Sequence, residues 1–349
     1  MEYLYILKQA LIWVLTAFWC YQFVISLCAL VKLKDKPYLV NKNHKFMAII
    51  PAHNEEMVVA NLIESLKNQT YDKNLYDIYV IADNCTDKTA EVARKAGAIV
   101  YERFDNAHKT KGYALQWFLK QKIAENADYD AFFVFDADNI VDKNFIKNMN
   151  KKLCQGEEVV QGYRDIKNPT DNWITAGYAL FYWTMHRMYH LARYNIGLSP
   201  LLNGTGFMVK FDVVKPNGWE TQTLTEDIEF SLKQIIQGRK LGWATDAIVY
   251  DEQPTSFKQS WSQRSRWTVG HMQCLKTYTG QLYKAVKASL LFCFNNNISS
   301  LSSIFHIQNV CKYKRFYFTR QKVKNKIYPL YGISHNQYSS YLCCINKNN

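Results

Sequence analysis

The first long apolar segment runs from Ala10 to Val31, ALIWVLTAFWCYQFVISLCALV, 22 positions without a charged side chain. As a helix it would extend roughly 33 Å, enough to cross a bilayer core. A cleaved signal peptide is the competing reading, but the leading MEYLYILK is not basic and no small-residue cleavage site follows cleanly. A core helix would be unusually apolar on all sides. Lys32, Lys34 and Lys36 follow the segment directly, whereas Glu2 and Lys8 precede it. The positive-inside rule then places everything after Lys32 in the cytoplasm.

Past a polar linker the pattern becomes an alternation. Short apolar runs at Phe46–Ala52 (FMAIIPA), Asp77–Ala82 (DIYVIA), Ala98–Glu102 and Ala131–Phe135 (AFFVF) predict strands. Between them, Glu55–Asn68, Thr86–Ala96 and Tyr113–Ile123 carry helical spacing, the second with Thr86 or Asp87 as its cap. This order predicts an α/β fold, a mostly parallel sheet flanked by helices. Trp173–Arg193 reads as an aromatic amphipathic helix, and Asn203-Gly-Thr-Gly-Phe-Met-Val as a tight turn entering a strand.

Charge sharpens this outline. The chain has 349 residues and a net charge of +13, with 43 Lys and Arg against 30 Asp and Glu. From Gln253 to Asn349 there is no Asp or Glu and there are 14 Lys or Arg, so the first 252 residues are close to neutral. A nucleic-acid-binding domain would carry its basic face on the folded body, so nucleic acid is not expected as a partner. The nine cysteines are irregularly spaced and form no CxxC pair, as expected of free thiols in a reducing compartment.

Ligands of such sheets bind beyond the carboxyl ends of the strands. There the sequence places His53-Asn54-Glu55, Asp83-Asn84 and Asp136-Ala137-Asp138. A dehydrogenase would need a glycine-rich turn after the first strand, and PAHNEE has no glycine. Asp136 and Asp138 could share one hard cation with a diphosphate, or be ordinary loop acids. Asp83 could accept hydrogen bonds from a base or ribose, or cap the next helix. In Leu224–Leu232 (LTEDIEFSL), Thr225 could cap a helix whose first turn favours Glu226, Asp227 and Glu229, or one acid could serve as a general base. Late in the chain, SWSQRSRWTVGHM sets Gln263, Arg266 and Trp267 on one helical face. That stretch could equally be a solvated basic helix with one tryptophan buried.

Taken in order, PAHNEE, ADNCTD, DAD, TED and QRSRW resemble the family 2 glycosyltransferases of GT-A fold. The likeness is to the membrane-attached branch of exopolysaccharide, cellulose, hyaluronan and poly-N-acetylglucosamine synthases, and it runs from about Phe46 to Met272. The resemblance implies transfer of a sugar from a nucleotide-sugar donor, with inversion, to a polysaccharide or lipid-linked acceptor. It implies that Pro51, Ala52, His53 and Glu55 border the nucleotide, Asp83 its base end, and Lys111 the diphosphate. Asp136 and Asp138 would hold Mg²⁺ or Mn²⁺, with Asp136 also beside the donor. Asp227 would be the catalytic base, with Glu226 beside it. Glu226, Gln263, Arg266 and Trp267 would bind diphosphate and acceptor, the last three closing the site on a membrane-facing helix.

The expected plan is a membrane anchor at 1–31, a linker at 32–45, a GT-A domain at 46–255, an interfacial helix region at 256–285 and a basic tail at 286–349. Makers of long polymers in this branch carry several further membrane helices after QxxRW, which this sequence does not display. The tail is read three ways: as a segment lying on anionic lipid, as a disordered segment, or as the product of a truncated or frame-shifted reading frame. The last carries with it the alternative of an inactive remnant or a non-catalytic partner within a synthase complex.

Overall fold

The structure, a computed structural model, describes residues 2–31, 37–39 and 42–295, with side chains to residue 287. The chain divides into two units, Met1–Ile236 with Lys240–Ala285, and Gln237–Arg239 with Val286–Asn349. Of the second, a turn at 237–239 and the end of the last helix are described. Residues 296–349 of the basic tail, with Cys311, Cys343 and Cys344, lie outside the described residues.

The first unit is built on one eight-stranded sheet in the order β3-β2-β1-β4-β7-β6-β8-β5. Its first half consists of β1 (Phe46–Ala52), β2 (Tyr76–Asp83), β3 (Ile99–Arg103) and β4 (Ala131–Val134), all parallel. These are the predicted strands, with no bound off by more than one residue. Their apolar runs are continuous because both faces are covered. Phe46, Ala48, Ile50 and Phe133 pack on α2 (Val59–Lys67) and α5 (Phe145–Cys154). The alternate residues Met47, Ile49, Phe132 and Val134 pack on α4 (Lys111–Ala124) and on Phe230 of α9 (Glu226–Ile236).

In the second half, β7 (Phe207–Lys210) runs antiparallel to both β4 and β6 (Val159–Ile166), β8 (Gly242–Asp251) runs parallel to β6, and β5 (Ile140–Val141) closes the edge. The short helix α3 (Thr89–Lys95) precedes β3, and α8 (Phe211–Val214) follows β7. Both α2 and α3 start later than helical spacing predicts. The reason is non-local: Glu55 N–H donates to Thr89 Oγ1 at 2.7 Å and Glu56 N–H to Asp87 Oδ2 at 3.2 Å, so the two loops are tied to each other.

Three further helical segments remain. The N-terminal α1 (Glu2–Leu27), with a 3₁₀ turn at Cys28–Leu30, is the one helix among the described residues long and apolar enough to cross a membrane. It is exposed along most of its length and seated at its end, where Ile25 and Ala29 meet Ala192. A long helix combines α6 (Trp173–Thr184), a π-turn at Met185–Leu191 and α7 (Ala192–Asn195). Asn195 Nδ2 fastens α7 to the turn after α1 by donating to the carbonyls of Cys28 (2.9 Å) and Val31 (2.8 Å). The last helix, α10 (Phe257–Asn295), carries the QRSRW stretch.

Candidate active site

The parallel register pairs Ala52 with Ala82 and Ile49 with Val134, so the residues after β1, β2 and β4 emerge at one edge. Pro51 and Ala52 end β1, and exposed His53 turns its Nδ1–H onto the Asp83 carbonyl at 2.7 Å. Asp83 is buried and does not cap a helix. Its Oδ1 accepts from Arg103 Nη1 at 2.6 Å and from Asn84 Nδ2 at 3.1 Å, and neither bond uses Oδ2. Arg103 in turn donates to Asp105 at 2.7 Å. Asp83 is thus held in place by a guanidinium.

Deeper in, Lys111 at the start of α4 reaches three partners. Its Nζ donates to Asp136 Oδ1 at 2.5 Å and to the Gly204 carbonyl at 2.6 Å, and lies 3.9 Å from Glu226 Oε1. Burial works against its charge, but Asp136 and Glu226 outweigh it and hold the ammonium protonated. The helix can start beside the acids because Gly112 has no side chain: a Cβ there would stand 2.6 Å from Thr221 Oγ1 and 3.2 Å from Glu226 Cβ. Burial, then the neighbouring Asp227, pushes Glu226 up to about 7, with Lys111 pulling the other way. Burial also raises Asp227, opposed by the Ile228 N–H and Lys111. Asp227 Oδ2 lies 3.7 Å from where a Cβ of Gly204 would stand, so the turn passes close over the carboxylate.

Asp138 is pushed up to about 8, by burial first and then by Asp251, Asp136 and Glu55. Glu55 is raised by burial and by Asp136. Crowded carboxylates of this kind fit a cation. Among the described residues no three His, Cys, Asp or Glu side chains form a ready metal cage. A pair of carboxylates suits Mg²⁺ or Mn²⁺, hard ions that take one or two carboxylates and complete their shell with water and substrate phosphate.

On the other side of the acids lies α10. Tyr278 donates to Glu229 Oε1 at 2.7 Å, and Glu229 Oε2 accepts the N–H groups of Gln222 and Thr223, each at 2.7 Å. Gln263 accepts from the Tyr178 hydroxyl at 3.1 Å, and Trp267 meets that ring edge-on. Arg264, not Arg266, covers Tyr178, its guanidinium 4.7 Å from the ring centre. Arg266 is exposed and makes no hydrogen bond or ion pair among the described residues.

A family model described as "Glycosyltransferase like family 2" matches residues 44–270. The chain belongs to that family. The probable glycosyltransferase YdaM of Bacillus subtilis (strain 168) is 27% identical over 261 residues, 71% of this chain and 60% of the relative. The poly-beta-1,6-N-acetyl-D-glucosamine synthase of Staphylococcus epidermidis is 24% identical over 335 residues, 88% of this chain and 76% of the relative. The chain spans 45% to 60% of the length of the first three curated relatives it matches. The mannosyltransferase PcManGT from Pyrobaculum calidifontis, solved with GDP-Man and Mn²⁺, superposes with a TM-score of 0.54 at 14% identity, over 86% of this chain and 97% of that one. The sheet is therefore of the GT-A type that the motifs imply.

Behind the family 2 motifs stands a polar layer that sequence reasoning missed. Asn139, fully buried, donates to Asp138 at 3.1 Å and to Asp251 at 2.8 Å, and its carbonyl oxygen accepts from Thr205 Oγ1. Asp251 is paired with Arg164, whose Nη1 donates to the Asn203 carbonyl at 3.1 Å. The Asn203–Gly206 turn thus touches Arg164, Lys111 and the DAD segment in consecutive residues. It needs glycine at 204 and 206, where φ is +77° and +62°. One signal was available: Asn139 directly follows the DAD triplet.

Close approach also fixes α10. A Cβ on Gly270 would stand 2.6 Å from Thr225 Oγ1 and 2.9 Å from its backbone nitrogen. Gly270→Ala is expected to destabilise the fold by about 1–3 kcal/mol, as overpacking does, and to slow turnover by moving the residue before Glu226. A thermal midpoint and a rate both at wild-type values would show that α10 does not set this loop.

Proposed function

We propose that the chain moves a sugar from a nucleotide-sugar donor, a UDP-sugar favoured, to a growing polysaccharide or lipid-linked acceptor, inverting the anomeric carbon. The observation that carries this reading is the convergence of Asp136, Glu226 and the Gly204 carbonyl on Lys111, with Asp227 beside Gly204, at the carboxyl edge of a family 2 sheet. On this reading Pro51, Ala52, His53 and Glu55 border the nucleotide, and Asp83, held by Arg103, meets its base end. Lys111 lies against the donor diphosphate. Asp136 and Asp138 would hold Mg²⁺ or Mn²⁺, which when bound would neutralise negative charge growing on the departing diphosphate.

Asp227 takes the proton of the acceptor hydroxyl. Burial raises it above an ordinary aspartate, and the Ile228 N–H at the start of α9 and nearby Lys111 work the other way, in favour of the carboxylate. One base and one displacement invert the carbon. Gln263, Arg266 and Trp267 close the acceptor and diphosphate side from α10. The exposed side chains of Phe257, Trp261 and Met272 suit a helix lying on lipid. The first helix anchors the domain as a single span, with the transfer site in the cytoplasm.

Nucleotide release by the membrane-embedded chain tests this. The donor panel spans UDP- and GDP-sugars, because the solved relative in fold holds GDP-Man. Release from one donor is expected with Mn²⁺ or Mg²⁺ and should fall roughly 100-fold or more with chelator, a bound cation being worth several kcal/mol. Donor binding without release, in the presence of a lipid extract as acceptor, would instead support a non-catalytic partner of a synthase complex.

A further inference from the structure

The helix from Trp173 to Asn195 changes register at the π-turn Met185–Leu191. Such turns are rare and occur frequently at functional sites. This one sets His186 and His190 side by side, ring centres 5.6 Å apart, with His190 stacked on Trp243 at 4.9 Å and 7°. Both residues are 1% exposed. Their Nε2 atoms converge on one group, Asn203 Nδ2, at 3.3 Å and 3.1 Å. Neither Nδ1 has a hydrogen-bond partner.

A single amide serving two imidazoles dictates one tautomer for both. Its two N–H groups donate to both Nε2 atoms, or, turned over, its oxygen accepts from both Nε2–H groups. Burial keeps the rings neutral in either case, His190 down to about 3 and His186 well below its ordinary value. Two apolar rings of the same shape would fill the space without leaving the Nδ1 atoms unsatisfied, so packing alone does not account for histidine here. What histidine adds is a grip on Asn203. The next residues form the turn that receives Lys111 on the Gly204 carbonyl at 2.6 Å and the Asp136 N–H on Thr205 Oγ1 at 3.1 Å, and that passes over Asp227.

We propose that His186 and His190 are positioning residues that hold Asn203, and through it the Asn203–Gly206 turn against Lys111 and Asp227. The kinetic part of this inference rests on the transferase reading; the structural part does not. The test compares His190→Phe and His186→Phe/His190→Phe, which keep rings and lose the Nε2 grip, with His190→Gln, which restores a group able to accept or donate. All are made in the full chain in membranes or detergent. Amide hydrogen exchange over residues 200–207 is expected to rise about tenfold or more in the Phe variants, with 46–83 unchanged. The kcat should fall about 10- to 100-fold with the donor KM within about 3-fold, the usual size for a misplaced catalytic group. His190→Gln should return both readouts to within about 3-fold of wild type.

Wild-type exchange over 200–207 in the Phe variants would overturn the proposal, and so would a Gln variant no better than Phe. If the double variant does not fold, His190→Phe against His190→Gln decides by the same readouts. A wild-type chain that releases no nucleotide would count against the transferase reading, and the exchange measurements would still decide this one.

Discussion

Asp227→Asn is expected to lower sugar transfer by about 10²- to 10⁴-fold, the range that a general base contributes, with donor affinity nearly unchanged. The substitution keeps the shape and removes only the ability to take a proton. Donor contacts should survive, because Lys111 retains Asp136 and the Gly204 carbonyl. Glu226→Gln separates the two acids. Glu226 faces Lys111, so its loss should weaken the hold on Lys111 and raise the donor KM more than it lowers kcat. If Glu226→Gln abolishes kcat and Asp227→Asn does not, the roles are exchanged.

The pH profile follows from the same pair. Both acids are raised, mainly by burial, with Glu226 at about 7. The base must be ionised, so activity should climb with pH through the range where this pair loses its protons, well above an ordinary carboxylate. The sign for stability is opposite. Between the ordinary Glu value of 4.5 and about 7 the folded chain holds a proton that the unfolded chain has released, so stability should fall as pH rises across that window. Thermal unfolding at pH 5 and pH 7.5, compared with Glu226→Gln, checks this: the variant should lose that part of the slope.

Half of the sheet was legible because its signal is local. The apolar runs at Phe46, Ile78 and Ala131 could only be strands buried on both faces, and the acids that follow them mark the edge where ligands bind. Of the other half, the turn entering β7 was legible, but β6 (VVQGYRDI) was not, because it points Gln161 and Arg164 inward and so reads as a polar segment. Gln161 is satisfied by the Thr205 carbonyl at 2.9 Å, a partner 44 residues away. Still larger separations, 112 and 87 residues, hid the Asn139–Asp251–Arg164 layer. On α10, helical spacing grouped Gln263, Arg266 and Trp267. Gln263 and Trp267 do converge on Tyr178, but the arginine beside that ring is Arg264.

The hidden layer predicts the largest loss of stability. Asp251→Leu should cost about 3–5 kcal/mol, because it leaves the Arg164 guanidinium buried without its counter-charge. Both residues are buried, and Arg164 Nε donates to Asp251 Oδ2 at 2.9 Å. The double variant Arg164→Met/Asp251→Leu should recover most of that loss, since an apolar pair of similar volume replaces a buried ion pair at little net cost. Turnover should not recover with it. Asp251 also accepts from Asn139, the residue that steadies Asp138, and Arg164 also holds the Asn203 carbonyl. Removing both charges mends the electrostatics of the core but leaves the DAD segment and the Asn203–Gly206 turn without their back-bracing. Thermal midpoints and nucleotide release measured on the same three proteins separate the two effects. If activity returns along with stability, the layer only holds the fold together. If stability returns and activity stays low, the layer's second task is to place the carboxylates at the mouth of the sheet.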